Sequence, residues 1–78
     1  MTASPLTRAE ARERWGDPDD EEGSVNDPRT REEHGVRFNA RWIYFLPCGE
    51  RRVVYWHRYD WRGALRVGAS GEVLPEPA

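Results

Sequence analysis

The chain has 78 residues, a formal net charge of −2, 37% apolar residues, twelve Arg, no Lys and one Cys, which leaves room for a single small domain. The lone Cys48 excludes an intramolecular disulfide. With no charged-then-apolar leader and no apolar run near the roughly 18 residues of a membrane span, the expectation is a soluble protein of the reducing cytoplasm.

Such a chain buries only about 60% of its unfolded surface, so marginal stability, helped by a partner or a second copy, is expected. Arg without Lys, beside abundant Ala, Gly and Asp, fits the codon bias of a GC-rich bacterial genome and carries no mechanism. Charge divides unevenly along the chain. Residues 1–36 hold ten acids against five Arg, whereas residues 37–78 hold four acids against seven Arg. Eight of the nine aromatic residues lie between Phe38 and Trp61, with Trp15 alone outside. The core-forming segment is therefore placed at residues 36–74, with 1–35 as an appendage and 75–78 as a disordered tail.

In SPLTRAEARERWG, either Ser4 caps a helix with Pro5 at its first position, or Thr7 caps it with Glu10 in a reciprocal capping box. Gly16, Asp17 and Pro18 end that helix. A helix this short is unstable alone, so it forms if Trp15 docks on something. DPDDEEGSVN, residues 17–26, carries five acids and only Val25 for packing, which predicts a mobile acidic linker. Asp27 as cap, Pro28 at the first position and Gly35 as terminator predict a helical turn over residues 28–34, with His34 at its negative end.

From Val36 the hydrophobic period becomes two, and VRFNARWIYFL reads as a strand. After PCGE, RRVVYWHRYDW is a second strand, ALRVG a shorter third, and EVL a last one before Pro75 and Pro77. The expected fold class is thus α+β: a short N-terminal helix, an acidic linker, then a three- or four-stranded antiparallel meander. A two- or four-residue loop would pair the first two strands so that opposed numbers sum to 97, joining Trp42 with Tyr55 and Val36 with Trp61 on an apolar face. The other face would then bring Arg37 to Asp60 and Arg41 to Trp56, an ion pair and a cation–π contact. A three-residue Pro47-Cys48-Gly49 loop would slip this by one, setting Phe38 against Arg58. Turn chemistry favours the slip; the faces favour the even loop and are given the greater weight.

No motif names a reaction. His34, Cys48 and His57 match no zinc spacing, and no phosphate-cradling glycine loop or nucleophile elbow is present, so neither metal nor cofactor is expected. Arg interleaved with aromatics is the stronger signal. Arg41, Phe45, Arg52, Trp56 and Arg58 are the candidate binding residues of a non-catalytic module that takes a protein partner or its own second copy. The alternative is a single-stranded nucleic-acid binder that stacks bases on those rings. A small ribonuclease using His57 and Arg58 comes third, weakened because alternate strand residues point to opposite faces. If the N-terminal helix or a second copy covers one face, Trp56, Ile43 and Val54 would be buried instead.

Overall fold

The computed structural model describes residues 6–76. Its elements in chain order are helix α1 (Arg8–Trp15), strands β1 (Asp20–Gly23), β2 (Arg31–Glu33), β3 (Val36–Phe38) and β4 (Ala40–Phe45), a 3-10 turn (Pro47–Gly49), and strands β5 (Arg51–His57), β6 (Asp60–Val67) and β7 (Val73–Pro75). The result is a small α+β fold with one helix, a five-stranded antiparallel sheet ordered β1-β4-β5-β6-β7, and a two-stranded sheet of β2 and β3.

The helix begins at the second of its two candidate caps. The Thr7 side chain accepts from the Glu10 amide, and the Glu10 carboxylate accepts from the Thr7 amide, satisfying two end groups that an uncapped helix leaves bare. Ser4 and Pro5 lie outside the described residues. Gly16, at φ 79°, turns the chain out of the helix.

The expected acidic linker instead contains β1. Asp20 to Gly23 pair with Ile43 to Ala40, because a strand at a sheet edge needs only backbone partners, while its carboxylates lie toward solvent or toward arginines. Arg12 reaches Asp17 and Glu21, and Arg41 reaches Glu22. Charged side chains on an edge also discourage a further strand from joining. Gly23, at φ 75°, passes so close to the Asn39 carbonyl that a Cβ there would lie 2.1 Å from its oxygen. Gly23→Ala therefore combines a left-handed backbone penalty of about 1–2 kcal/mol with a backbone clash. Expected is a lower melting temperature with hydrogen-exchange protection lost first at the β1 amides; unchanged protection there would contradict the close approach.

The helical turn expected at 28–34 is absent. The segment is a β-hairpin in which Glu33 pairs with Val36 and the two connecting residues, His34 at φ 53° and Gly35 at φ 79°, are both left-handed. That is the conformation of the tightest hairpin turns, and glycine fits its second position without a Cβ penalty.

Between β4 and β5 the loop has three residues, and the pairs are Ala40 with Trp56, Trp42 with Val54 and Ile43 with Val53. This is the slipped register, set by the loop: Cys48 and Gly49 both take positive φ, and the Leu46 amide donates to the Glu50 carbonyl. Nor is residues 36–46 one strand. Asn39 interrupts it, sending β3 to the small sheet and β4 to the large one. The expected pair of Arg37 with Asp60 and contact of Arg41 with Trp56 do not form: Arg41 stands opposite Tyr55, on the other face from Trp56.

One face of the large sheet is covered by the helical segment, and part of the other by the hairpin. On the first, Leu6, Ala11 and Trp15 of the helical segment cover Tyr44, Trp42, Val54, Trp56 and Ala64. Trp42 and Trp56 rings lie 5.0 Å apart, with the Arg8 guanidinium over both. Arg8 also donates to the Arg58 carbonyl at 2.7 and 3.0 Å, fastening the helix to the β5–β6 turn. On the opposite face the β2–β3 hairpin lays Phe38 and Val36 over Val53, Tyr55 and Leu65. Helical cover thus explains the burial of Trp56 and Val54, while Ile43 belongs to the hairpin side. The expected tail also begins late: Pro75 is part of β7, and Glu76 bridges Arg52 and Arg66. Residues 77–78 lie outside the described residues.

Candidate binding surface

The hairpin covers only part of its face, and a concave surface lies on each side of it. The larger, about 380 Å³, is floored by Ile43, Val53, Tyr55 and Val67, and walled by the hairpin tip and by Gly71 and Val73. The pairing explains why these side chains meet. Across β4, β5, β6 and β7 the register aligns Phe45, Arg51, Val67 and Val73 in one row and Ile43, Val53 and Leu65 in the next. Period-two alternation places both rows on the hairpin side. Phe45 is 61% exposed. The outcome is an apolar shelf with two arginines, Arg41, which is paired with Glu22 and Glu33, and Arg51, which has no carboxylate within 4 Å among the described residues.

At the inner end of the shelf the polar groups are tied together. The Tyr55 hydroxyl donates to Glu33 Oε1 at 2.6 Å, and Arg41 Nη1 donates to the same oxygen at 2.8 Å. The other Arg41 terminal nitrogen meets Glu22 of β1. One guanidinium therefore joins the large sheet's edge strand to the small sheet. Burial, then the bond to Glu33, pushes the Tyr55 phenol above its ordinary range. On the opposite face, burial pushes Tyr44 up to about 12, and its hydroxyl donates to the Gly16 carbonyl.

The five residues singled out in the sequence do not converge. Trp56 is fully enclosed. Arg41 is committed to Glu22 and Glu33 on the hairpin side, and Arg52 to Glu76 with its guanidinium over Trp15 on the helix side. Arg58 sits in the β5–β6 turn at φ 57°, its amide donating to Asn39 Oδ1. Phe45 alone belongs to the open shelf. Ile43, Val53, Val67, Val73 and Arg51 were the residues missed, and the Pro47-Cys48-Gly49 loop was the signal that would have aligned them.

The second concavity, about 360 Å³, is lined by Thr30, Arg37, His57 and Arg62. His57 thus faces two arginines other than Arg58, the partner expected for it. Among the described residues no three His, Cys, Asp or Glu side chains gather as metal ligands, and no helix is long and apolar enough to cross a membrane. Comparison with protein-family models, curated proteins and solved structures finds no match for the chain.

Proposed function

We propose that the protein is a small non-catalytic binding module, and that its site is the shelf of Phe45, Ile43, Val53, Val67 and Val73. The occupant is a protein segment presenting an apolar side chain beside a carboxylate. The observation that carries this is the aligned row of Phe45, Arg51, Val67 and Val73. It is apolar at three of its four positions, and Phe45 and Arg51 in it are exposed. An apolar side chain of the partner gains by leaving water on such a surface. A carboxylate beside it answers Arg51, and a charge-assisted hydrogen bond to guanidinium fixes its orientation. A nucleic-acid reading has less support, because Trp56, one of the two rings expected to stack bases, is enclosed in the helix-side core and only Phe45 is exposed.

The test uses the full chain as bait in nuclease-treated lysate, compared with Phe45→Glu and Arg51→Glu. Each variant is expected to lose its partner by about thirtyfold or more, the scale of an interface residue worth 2 kcal/mol. Melting temperatures should stay within a few degrees, since both side chains are exposed. Sedimentation of the isolated chain identifies a second copy as the occupant if the wild type dimerises and the variants do not. Retention by both variants, or capture lost on nuclease treatment, would overturn the proposal.

A further inference from the structure

We infer that the cavity between the hairpin and the β5–β6 end of the large sheet is a binding site for the phosphate group of a small phosphorylated molecule, separate from the partner shelf. Four side chains line it, Thr30, Arg37, His57 and Arg62, and none is a carboxylate. They come from four places in the chain: the segment before β2, then β3, the end of β5, and β6. Two guanidiniums, an imidazole and a hydroxyl are donors of the kind that surround a phosphate's oxygens, with arginine's planar fork suited to two of them at once.

The two arginines are also among those to which the fold gives no carboxylate. Arg12, Arg29, Arg41, Arg52 and Arg66 each hold a carboxylate. Arg37 and Arg62 have none within 4 Å among the described residues, in a chain whose acids outnumber its arginines 14 to 12. Glu32 is the register partner of Arg37 and yet makes no ion pair with it. Asp60, opposite His57 in the ladder, does not line the cavity.

Arg62 reaches this face because of an irregularity in the sheet. Trp56 pairs with Trp61 and Tyr55 with Gly63, so Arg62 is one residue too many on β6. Trp61 and Ala64 both pack on the helix side although three positions separate them, which strict alternation forbids. The bulge absorbs the extra residue and turns Arg62 toward the hairpin side, beside His57. Bulges recur where a strand must re-aim a side chain at a site. Cavities of this size hold small organic ligands, so the phosphate enters with a compact organic group attached.

The test titrates the full chain with inorganic phosphate, ribose 5-phosphate, ribose, and a single-stranded oligonucleotide without terminal phosphates, followed by amide and arginine Nε–H NMR shifts. Saturable shifts centred on Thr30, Arg37, His57 and Arg62 are expected with phosphate and more strongly with ribose 5-phosphate, and none with ribose. Arg37→Gln and Arg62→Gln should each weaken binding about tenfold or more, as loss of a charge-assisted hydrogen bond implies. Arg14→Gln, which changes net charge equally on the helix, should leave it unchanged. Because Arg37 and Arg62 are exposed, folding is not at stake. Absence of saturation well above millimolar phosphate, shifts centred elsewhere, or loss with Arg14→Gln equal to that of the cavity variants would overturn the assignment. Oligonucleotide binding as tight as that of ribose 5-phosphate would overturn it in favour of a nucleic-acid surface.

Discussion

Trp56→Ala is expected to unfold the protein at room temperature or to leave it barely folded. The ring is inaccessible to water, stacked at a tilt on Trp42 and capped by the Arg8 guanidinium. Truncating a buried aromatic costs about 3–5 kcal/mol, the lost transfer energy plus the cavity left behind. A 78-residue chain has only about 4–12 kcal/mol of stability to lose at the usual 0.05–0.15 per residue. Both helix attachment and sheet are hit at once, because Trp56 lies under α1 and within β5. Trp56→Phe should fare much better. The indole Nε1 has no hydrogen-bond partner among the described residues, so the smaller ring forfeits area and removes a buried, unpaired N–H. Far-ultraviolet circular dichroism with thermal melting checks both. A Trp56→Ala protein melting within a few degrees of wild type would show that the ring is not the keystone of the helix-side core.

What could be read from the sequence was whatever local chemistry decides by itself. Thr7 with Glu10 and Gly16 define a helix by their backbone needs, and the β-branched and aromatic runs define strands. The failures have one physical origin, that pairing was judged from side chains where backbone geometry governed. Face chemistry chose the wrong register because β5 is central and buried on both sides; Val53, Val54, Tyr55 and Trp56 are all buried. Alternation then carries no information about which face is inward, and either register hides an apolar set. The turn still does carry it, through the conformational demands of Cys48 and Gly49. The acids of β1 hid a strand for the same reason, and Pro28 suggested a helix start where His34 and Gly35 were setting a hairpin. The shelf follows from the register, so it was lost with it. The Arg62 bulge has no local signature at all: it arises because Trp61 and Ala64 must both reach the helix-side core.

A single polar side chain holds the two sheets in register with each other, and its removal should be nearly as damaging as a core truncation. Asn39 is 6% exposed. Its Nδ2 donates to the Val25 and Asp27 carbonyls at 3.3 and 3.2 Å, and its Oδ1 accepts from the Arg58 amide at 2.8 Å. Its own amide donates to the Trp56 carbonyl. The side chain therefore ties the loop between β1 and β2 to the β5–β6 turn, at the point where β3 leaves one sheet and β4 enters the other. Asn39→Ala strands these groups, and at about 1–3 kcal/mol for each that stays out of reach of water the loss should be about 2–4 kcal/mol. Arg58 lies at the surface, so water relieves its amide, and most of the cost falls on the two carbonyls. Asn39→Asp separates hydrogen bonding from packing. The carboxylate keeps the shape and still accepts from Arg58, but it faces two carbonyl oxygens and can donate to neither. Its folded-state pKa is then raised, and the sign follows: stability is greatest below the unfolded carboxyl value near 3.9 and falls as pH rises through the folded one. Asn39→Asp should thus be at least as unstable as Asn39→Ala at neutral pH and recover relative to it in acid. Paired melts of the two variants across pH 4 to 7 test this. A flat difference across that range would mean that Asn39 merely fills space at the joint.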